Sequence, residues 1–396
     1  MGNLSTISAP GMRGINRSAI LEIIRRESPI SRARIAQKLN VSLPTVMRIV
    51  DSLVAENLVR TQSTSEWTGG RRRLLLEFNS NGHIVIGIDL SGTKIYGAIA
   101  DLGGNILYEV ELSRNGLLGE ENFNRLVEVV EILLKRPELK DRRLHGIGVG
   151  APGVTRHREG IVTWAASLDW RDYPLKAKLT ERFDVPVMVD NDLNLATLGE
   201  YWFGAGQNTQ TMVLAVVGSG LGAGLIINGM LHRGSHEASG EVGDIILSRK
   251  SLGKAYAGVG VLESLASETA IVKRAHELLK DHLAPADLAD LTAETIFKAM
   301  ERGEGWAKTV VDESLDYLAV MVANLASILD PDVIILSGGT ITTSDLATPV
   351  SERIEGTIPF TPRIVRSQLG HRATVLGAIV NVLHNTDDFY MLHKQT

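Results

Sequence analysis

The 396-residue chain contains no cysteine. That absence excludes disulfides and thiolate metal sites, and it leaves the compartment to be read from other features. The N-terminus also lacks a basic stretch followed by an apolar one, so no secretory leader is expected and the chain is read as cytoplasmic. One run, Thr211 to Leu231, is free of charge and long enough to cross a bilayer. Val, Leu and Ile on either side of Gly218-Ser219-Gly220-Leu221-Gly222 fit two β-strands around a glycine turn better, with Asn228-Gly229 as a second, hairpin-like turn. No membrane span is expected. What remains is ordinary for a soluble globular protein: 44% hydrophobic and 22% charged residues, in a length that holds two or three domains.

The charge is unevenly placed. Residues 1–80 hold 12 Lys and Arg against 6 Asp and Glu, a net of +6, whereas the remainder holds 29 against 40, a net of −11. A basic head on an acidic body suits a nucleic-acid-binding module joined to a part that stays off the nucleic acid. Within the head, Ser31 to Val59 reads as a helix-turn-helix. Ser31 can cap a first helix running to Leu39, with Ile35, Ala36 and Leu39 on one stripe. Asn40-Val41-Ser42 is a turn of the length that sets two helices at a steep angle. Ser42 can cap the second helix and Pro44 suits its first turn. Val46, Ile49, Val50 and Leu53 then face inward, while Thr45, Met47 and Arg48 face outward near the end that meets base edges in a major groove. A preceding helix is expected over Asn16 to Arg26, and residues 1–12 are read as disordered. Two short strands after the second helix, around a loop bearing Arg71, Arg72 and Arg73, read as a wing; the triplet is either a solvated charge run or, as its place beside the helix-turn-helix favours, a phosphate or minor-groove contact.

From Ile84 long apolar strands alternate with helices. Strands are expected at Ile84 to Leu90, Tyr96 to Asp101 and Ile106 to Leu112 as a meander, then at Gly146 to Gly150, Val185 to Asp190, 212–217, 223–228 and Pro331 to Leu336. Helices are expected at Glu121 to Leu134, Asn194 to Phe203 and Ser314 to Leu329. No short-period repeat occurs, but two strand-rich halves, each opened by a glycine loop, suggest a duplicated architecture. Three loops follow apolar strands. In Asp89-Leu90-Ser91-Gly92-Thr93-Lys94, glycine admits a phosphate while Thr93 and Lys94 supply a hydroxyl and a cation. Gly218 to Gly222 and Ser337-Gly338-Gly339 are the others, and together they point to a nucleotide cleft between two lobes. Asp190-Asn191-Asp192 ends a strand before a helix, where a carboxylate can serve as general base in phosphoryl transfer or simply cap the helix.

In this order, behind a winged helix, these motifs resemble the ROK family of repressors, open reading frames and sugar kinases, from Asn16 to about Leu383. The resemblance implies an α/β, actin-like two-lobed sugar kinase (ribonuclease H-like) fold over residues 81–396, preceded by a winged helix-turn-helix over residues 1–80. It implies Asp192 at the base position, Asn191 as a sugar ligand, and Gly92, Thr93, Lys94, Ser219, Gly220 and Gly338 around ATP. The family's zinc and sugar signature corresponds here to Gly240 to Asp244 and Lys254 to Glu263. Glu241 and Glu263, which resemble sugar ligands, are retained. Lys254, Tyr256 and Val261 stand where the family has cysteines, and Asp244 where it has histidine, so no zinc is expected; nearby His232 and His236 do not restore a site.

Two further departures bear on function. Ser91 stands where the kinase pattern has glycine, crowding the phosphate path. Ser167-Leu168-Asp169-Trp170 replaces Asn-Leu-Gly-Trp, so Ser167, Asp169 and Asp244 could bind a different sugar. The leading expectation is a sugar-responsive transcriptional regulator, a repressor of carbohydrate genes. It would bind double-stranded operator DNA through Ser42, Thr45, Met47, Arg48 and the arginine triplet, as a homodimer or dimer of dimers with no membrane association and no required cofactor. The alternative is an ATP- and Mg-dependent sugar kinase carrying a DNA-binding head, with Asp192 as base.

Overall fold

The computed structural model describes residues 9–63, 74–114, 116–139, 142–252, 258–280, 288, 290–338 and 345–385. The arginines at 71–73 lie outside these residues, as do Lys254, Tyr256 and Gly339. The head opens with α1 (Ala9–Glu27), α2 (Arg32–Leu39) and α3 (Leu43–Ala55). Helix α1 begins at Ala9 rather than Asn16, so the stretch read as disordered is helical from that residue. Its opening APGMRG carries no apolar stripe for periodicity to find, although proline is compatible with a first helical turn. The two caps stand as expected: Ser31 Oγ accepts the Arg34 N–H and Ser42 Oγ the Thr45 N–H, each at 3.3 Å. Asn40 takes a left-handed φ of 53° between them, a conformation asparagine tolerates. Ile20, Ile24, Ile35, Val46, Val50, Leu53 and Leu58 are buried as the head's core. Strands β1 (Val59–Ser63) and β2 (Leu74–Phe78) pair antiparallel, and Ile30 adds a bridge to Leu76.

The chain divides into two units, residues 1–190 with 378–396, and residues 191–377. After the head, the first contains β3 (His83–Asp89), β4 (Lys94–Asp101), β5 (Ile106–Ser113), α4 (Glu120–Leu134), β6 (Arg143–Ala151), β7 (Val154–Arg156), β8 (Ile161–Ala165), β9 (Trp170–Tyr173), α5 (Leu175–Phe183) and β10 (Val187–Asn191). Its main sheet has the order β10-β6-β3-β4-β5, with β4 antiparallel to β3 and β5, and β6 parallel to β3. Strand β3 is buried along almost its whole length, the behaviour of a continuous apolar run in a covered sheet. Strands β7, β8 and β9 form a separate small sheet that the sequence does not announce, because strands of three to five residues mixed with charges leave no alternation to detect.

The second unit holds α6 (Asp192–Phe203), β11 (Met212–Val217), β12 (Leu221–Ile227), β13 (Met230–His232), α7 (Glu263–Ala266), α8 (Glu268–Leu279), α9 (Ala293–Glu301), α10 (Gly305–Leu329), β14 (Val333–Gly338), α11 (Ala347–Ile354), β15 (Arg363–Arg366) and the first part of α12 (Ala373–Asn385). Its sheet has the order β13-β12-β11-β14-β15. The charge-free run is a set of strands, not a span: β11 pairs antiparallel with β12, and Asn228 and Gly229 both take positive φ, 52° and 74°, in a two-residue hairpin turn. No described helix is long and apolar enough to cross a membrane. The two sheets share one topology: an antiparallel meander, then a fourth strand parallel to the first on its other side, then a fifth outside that. The glycine loops at 91–93 and 218–220 occupy the same place in the two repeats, between first and second strands, which accounts for the duplication legible in the sequence.

Within the second unit α6 and α12 meet backbone to backbone. A Cβ on Gly377 would lie 1.7 Å from the Leu195 carbonyl oxygen, and one on Gly199 would lie 2.1 Å from that of Ala373. One residue after Gly199, Glu200 is fully buried. Its carboxylate accepts the Ala205 N–H at 2.9 Å, the Ser367 hydroxyl at 2.6 Å and the Leu369 N–H at 3.0 Å. Burying that charge is tolerable because three donors replace its water.

Candidate functional site

The outward face of α3 is built as its sequence dictates. Val46, Ile49, Val50 and Leu53 are buried, leaving Leu43 44% and Met47 47% exposed beside an exposed Arg48. Arg48 makes no ion pair among the described residues, so its guanidinium is available to a base edge or phosphate. The Ser42 and Thr45 hydroxyls lie 2.8 Å apart and share one hydrogen bond. Arg32 and Asp51 link α2 to α3 at 3.1 Å.

A polar joint ties this head to the first sheet. Glu56, the C-terminal cap of α3, presents its carbonyl 2.7 Å from His83 Nε2 at the first residue of β3. A carbonyl only accepts, so the ring donates through Nε2. Asn79 Nδ2 donates to both the carbonyl and the side-chain oxygen of Asn57 at 2.9 Å, and the Asn79 N–H donates to the Leu58 carbonyl at 3.0 Å. Gly82 is required here, since a Cβ would stand 2.0 Å from the Asn57 carbonyl oxygen. His83 also meets the His145 ring edge-on, with centroids 5.5 Å apart. Nothing in the sequence marked this joint, because its parts are single polar residues with no motif spacing.

Strand β3 ends at Asp89, where the first loop begins. Asp89 Oδ1 accepts the Ser91 N–H at 2.8 Å, and Ser91, Gly92, Thr93 and Lys94 are all exposed. Lys94 Nζ, expected near a phosphate, is paired with Glu111 at 2.8 Å. The segment expected to contact sugar is held by its backbone. The Ser167 carbonyl accepts from Arg114 Nη1 at 3.1 Å, and the Leu168 carbonyl accepts the Gly119 N–H at 2.9 Å and Asn122 Nδ2 at 3.3 Å. Leu168 and Trp170 are buried between exposed Ser167 and Asp169, and Asp169 has a φ of 55°. The result is a rigid turn with two polar side chains turned to solvent, the form a hydroxyl-rich ligand needs.

In the second unit Asn191 caps α6, its Oδ1 accepting the Leu193 and Asn194 N–H groups at 3.0 and 3.1 Å. Its Nδ2 donates to Asp192 Oδ1 at 3.0 Å. Leu193 lies against β12, where a Cβ on Gly222 would come within 2.8 Å of its Cδ2. Gly338 at the end of β14 pairs in register with Val217, which brings the second and third glycine loops to one sheet end. The loop is fixed to α8: the Glu268 N–H donates to the Gly218 carbonyl at 2.8 Å, and the Thr269 hydroxyl to the Ser219 carbonyl at 2.9 Å. Glu263 Oε2 accepts the Leu221 N–H at 3.1 Å, and a Cβ on Gly220 would come within 2.9 Å of that same oxygen. Gly220 therefore makes room for a carboxylate.

Glu241 precedes the short turn Val242–Asp244 and Asp244 ends it, beside that glutamate. Glu241 is exposed in area, yet enough protein surrounds its carboxyl that partial loss of water, followed by the charges of Asp244 and Glu263, raises its pKa. Three residues assigned to sugar from the sequence thus share one electrostatic neighbourhood. A raised folded pKa makes the ionised form the costly one, and the cost grows as pH climbs from the ordinary value of 4.5 through the raised one. Glu241→Gln is therefore expected to raise the melting midpoint at pH 7, with the gain fading below about pH 4.5, as scanning calorimetry across pH would record. Among the described residues no group of three or more His, Cys, Asp or Glu could hold a metal ion, and His232 and His236 are exposed.

Residues 85–385 match the model described as the ROK family, and residues 15–60 match one described as winged helix-turn-helix DNA-binding. The xylose repressor of Caldicellulosiruptor bescii is 28% identical over 391 residues, covering 96% of this chain and 98% of its own. A glucokinase of Halalkalibacterium halodurans is 34% identical over 307 residues, covering 74% of this chain and 92% of its own. Among solved structures, a ROK family transcriptional regulator described as a homolog of the E. coli MLC protein aligns with a TM-score of 0.82 at 23% identity, over 95% of this chain and 97% of its own. That likeness is one of fold, and it extends over head and body together. The chain belongs to the ROK family and carries a winged helix-turn-helix ahead of the family's domain.

Proposed function

We propose that this chain is a sugar-responsive DNA-binding transcriptional repressor, with residues 1–80 holding the operator and residues 81–396 taking a sugar as effector. The observation that carries this reading is the joint at His83. The carbonyl of Glu56, which caps the recognition helix, accepts from His83 at the first residue of β3, and β3 ends at Asp89, so a single buried strand runs from the DNA-reading helix to the first glycine loop. An effector acts through such a path only by binding the operator-competent and operator-incompetent states unequally. The head reads one half-site, and a homodimer or dimer of dimers reads a two-fold operator.

The first loop departs from the phosphate-binding pattern that the family resemblance implies. Lys94 is paired with Glu111, and the Ser91 side chain stands where the kinase pattern has glycine. The repressor reading calls on no ATP, magnesium or zinc. Ser167 and Asp169 of the first unit, and Asn191, Asp192, Glu241, Asp244 and Glu263 of the second, each carry hydroxyl-binding groups suited to a neutral sugar, and the relative named xylose repressor makes D-xylose the first to test. A melting screen against pentoses, hexoses and N-acetylhexosamines, each with and without ATP, tests the reading. A sugar that raises the midpoint without ATP is expected. Stabilisation only by sugar and ATP together, with turnover lost in Asp192→Asn, would replace the repressor by a kinase with a DNA-binding head.

Arg48→Ala is expected to weaken operator binding by about 1–3 kcal/mol and to leave the melting midpoint unchanged. Anisotropy titrations of labelled duplex at fixed salt measure the first, and repeating them across salt concentrations gives a shallower slope for the variant if Arg48 touches phosphate.

A further inference from the structure

The geometry points to Arg114 as a positioning residue that fixes the Ser91–Lys94 loop and the Ala166–Asp169 turn as one piece, so that a ligand held at either is felt at the other. Arg114 follows β5 and is only 8% exposed. Its Nε donates to the Gly92 carbonyl at 2.6 Å and its Nη1 to the Ser167 carbonyl at 3.1 Å, while its own N–H donates to the Thr93 carbonyl at 3.0 Å. One planar fork thereby joins two loops, one 22 and the other 53 residues along the chain from Arg114.

Structural convenience alone does not call for a cation here. Burial lowers the Arg114 pKa, and the partial return comes from the charge of Asp89, at the foot of the same loop. Among the described residues no carboxylate stands within ion-pair distance of this guanidinium. The guanidinium is therefore hydrogen-bonded by carbonyls, with Asp89 acting on it only from a distance, and those carbonyls belong to the segments that carry the candidate ligand groups. Arginine suits this because its donors lie in a rigid plane, so setting one carbonyl sets the other. Lysine has no such plane. Arg114 touches no ligand in this scheme; it orients Ser167 and Asp169 on one side, and Gly92 and Thr93 on the other.

The inference rests on the effector reading above, and its test is arranged so that the two fail separately. In full-length Arg114→Gln without ligand, amide hydrogen exchange over residues 90–95 and 165–170 is expected to rise about tenfold in both segments, with α8 and α10 unchanged. Faster exchange in one segment only, or in neither, overturns the strut. Arg114→Lys, which keeps the charge without the fork, is expected to fall between wild type and Arg114→Gln, and it serves as the working variant if Arg114→Gln does not fold. Titration calorimetry with D-xylose, then D-glucose, is expected to show about tenfold weaker binding in Arg114→Gln, partly restored by millimolar guanidinium ion. Equal affinity in wild type and variant also overturns the proposal. A wild type that binds neither sugar counts against the effector reading, and the exchange result then decides the strut by itself.

Discussion

Gly377→Ala lowers stability by about 3 kcal/mol or more, a drop of roughly 6 to 12 °C in the melting midpoint. A Cβ at that position would lie 1.7 Å from the Leu195 carbonyl oxygen and 2.4 Å from its carbon. Both are backbone atoms of α6, so no side chain can rotate aside, and the two helices must separate. Separation also withdraws contacts around Gly199, whose own missing Cβ faces the Ala373 carbonyl. Gly305→Ala is the control. It stands at the start of α10, where an added methyl would meet nothing within 4 Å, and replacing glycine by alanine in a helix is neutral or favourable by up to about 1 kcal/mol. Calorimetry on both variants separates crowding at the crossing from a general effect of removing glycine. The prediction bears on function because α6 presents Asn191 and Asp192 at its first turn.

Glu263→Ala is expected to abolish the proposed sugar response, weakening sugar binding by about a hundredfold or more. Glu263 Oε2 already accepts the Leu221 N–H, and Gly220 and Gly243 both leave room for that oxygen. A carboxylate accommodated by two glycines on separate segments is held in one orientation, and a sugar hydroxyl that donates to it loses that acceptor on substitution. The unpaired Leu221 amide adds to the cost. Operator affinity without sugar is expected to stay at the wild-type level, since the substitution leaves the reading face of α3 untouched. Titration calorimetry with sugar, beside anisotropy with operator, measures the two effects independently.

The head was legible because three local signals agreed: serine caps at 31 and 42, apolar spacing through Leu53, and a turn asparagine at 40. The hairpin of β11 and β12 was legible for a similar reason, with β-branched runs broken by glycine and an Asn-Gly pair after them. The glycine loops were found, but the purpose of Gly220 was not, since the carboxylate it admits comes from Glu263, far along the chain. Arg114 carried no signal at all. A lone basic residue after a strand reads as a solvated charge, and only the fold brings the Gly92 and Ser167 carbonyls to it. Glu200 was hidden likewise: an acidic residue in a helix looks exposed until Ser367 and Leu369 arrive from the other end of the unit. Periodicity reports what a residue does within its own element. It is silent on polar partners supplied by another one.

The most direct test of the account is operator affinity measured with and without sugar. Duplexes that the full-length protein selects from a random pool would be labelled and titrated by anisotropy at fixed salt, with D-xylose, D-glucose and the other sugars of the melting screen added singly. The account predicts that at least one sugar, without ATP, weakens operator binding by about tenfold or more, the range of an allosteric coupling. Operator affinity unchanged by every sugar that binds the protein would contradict it.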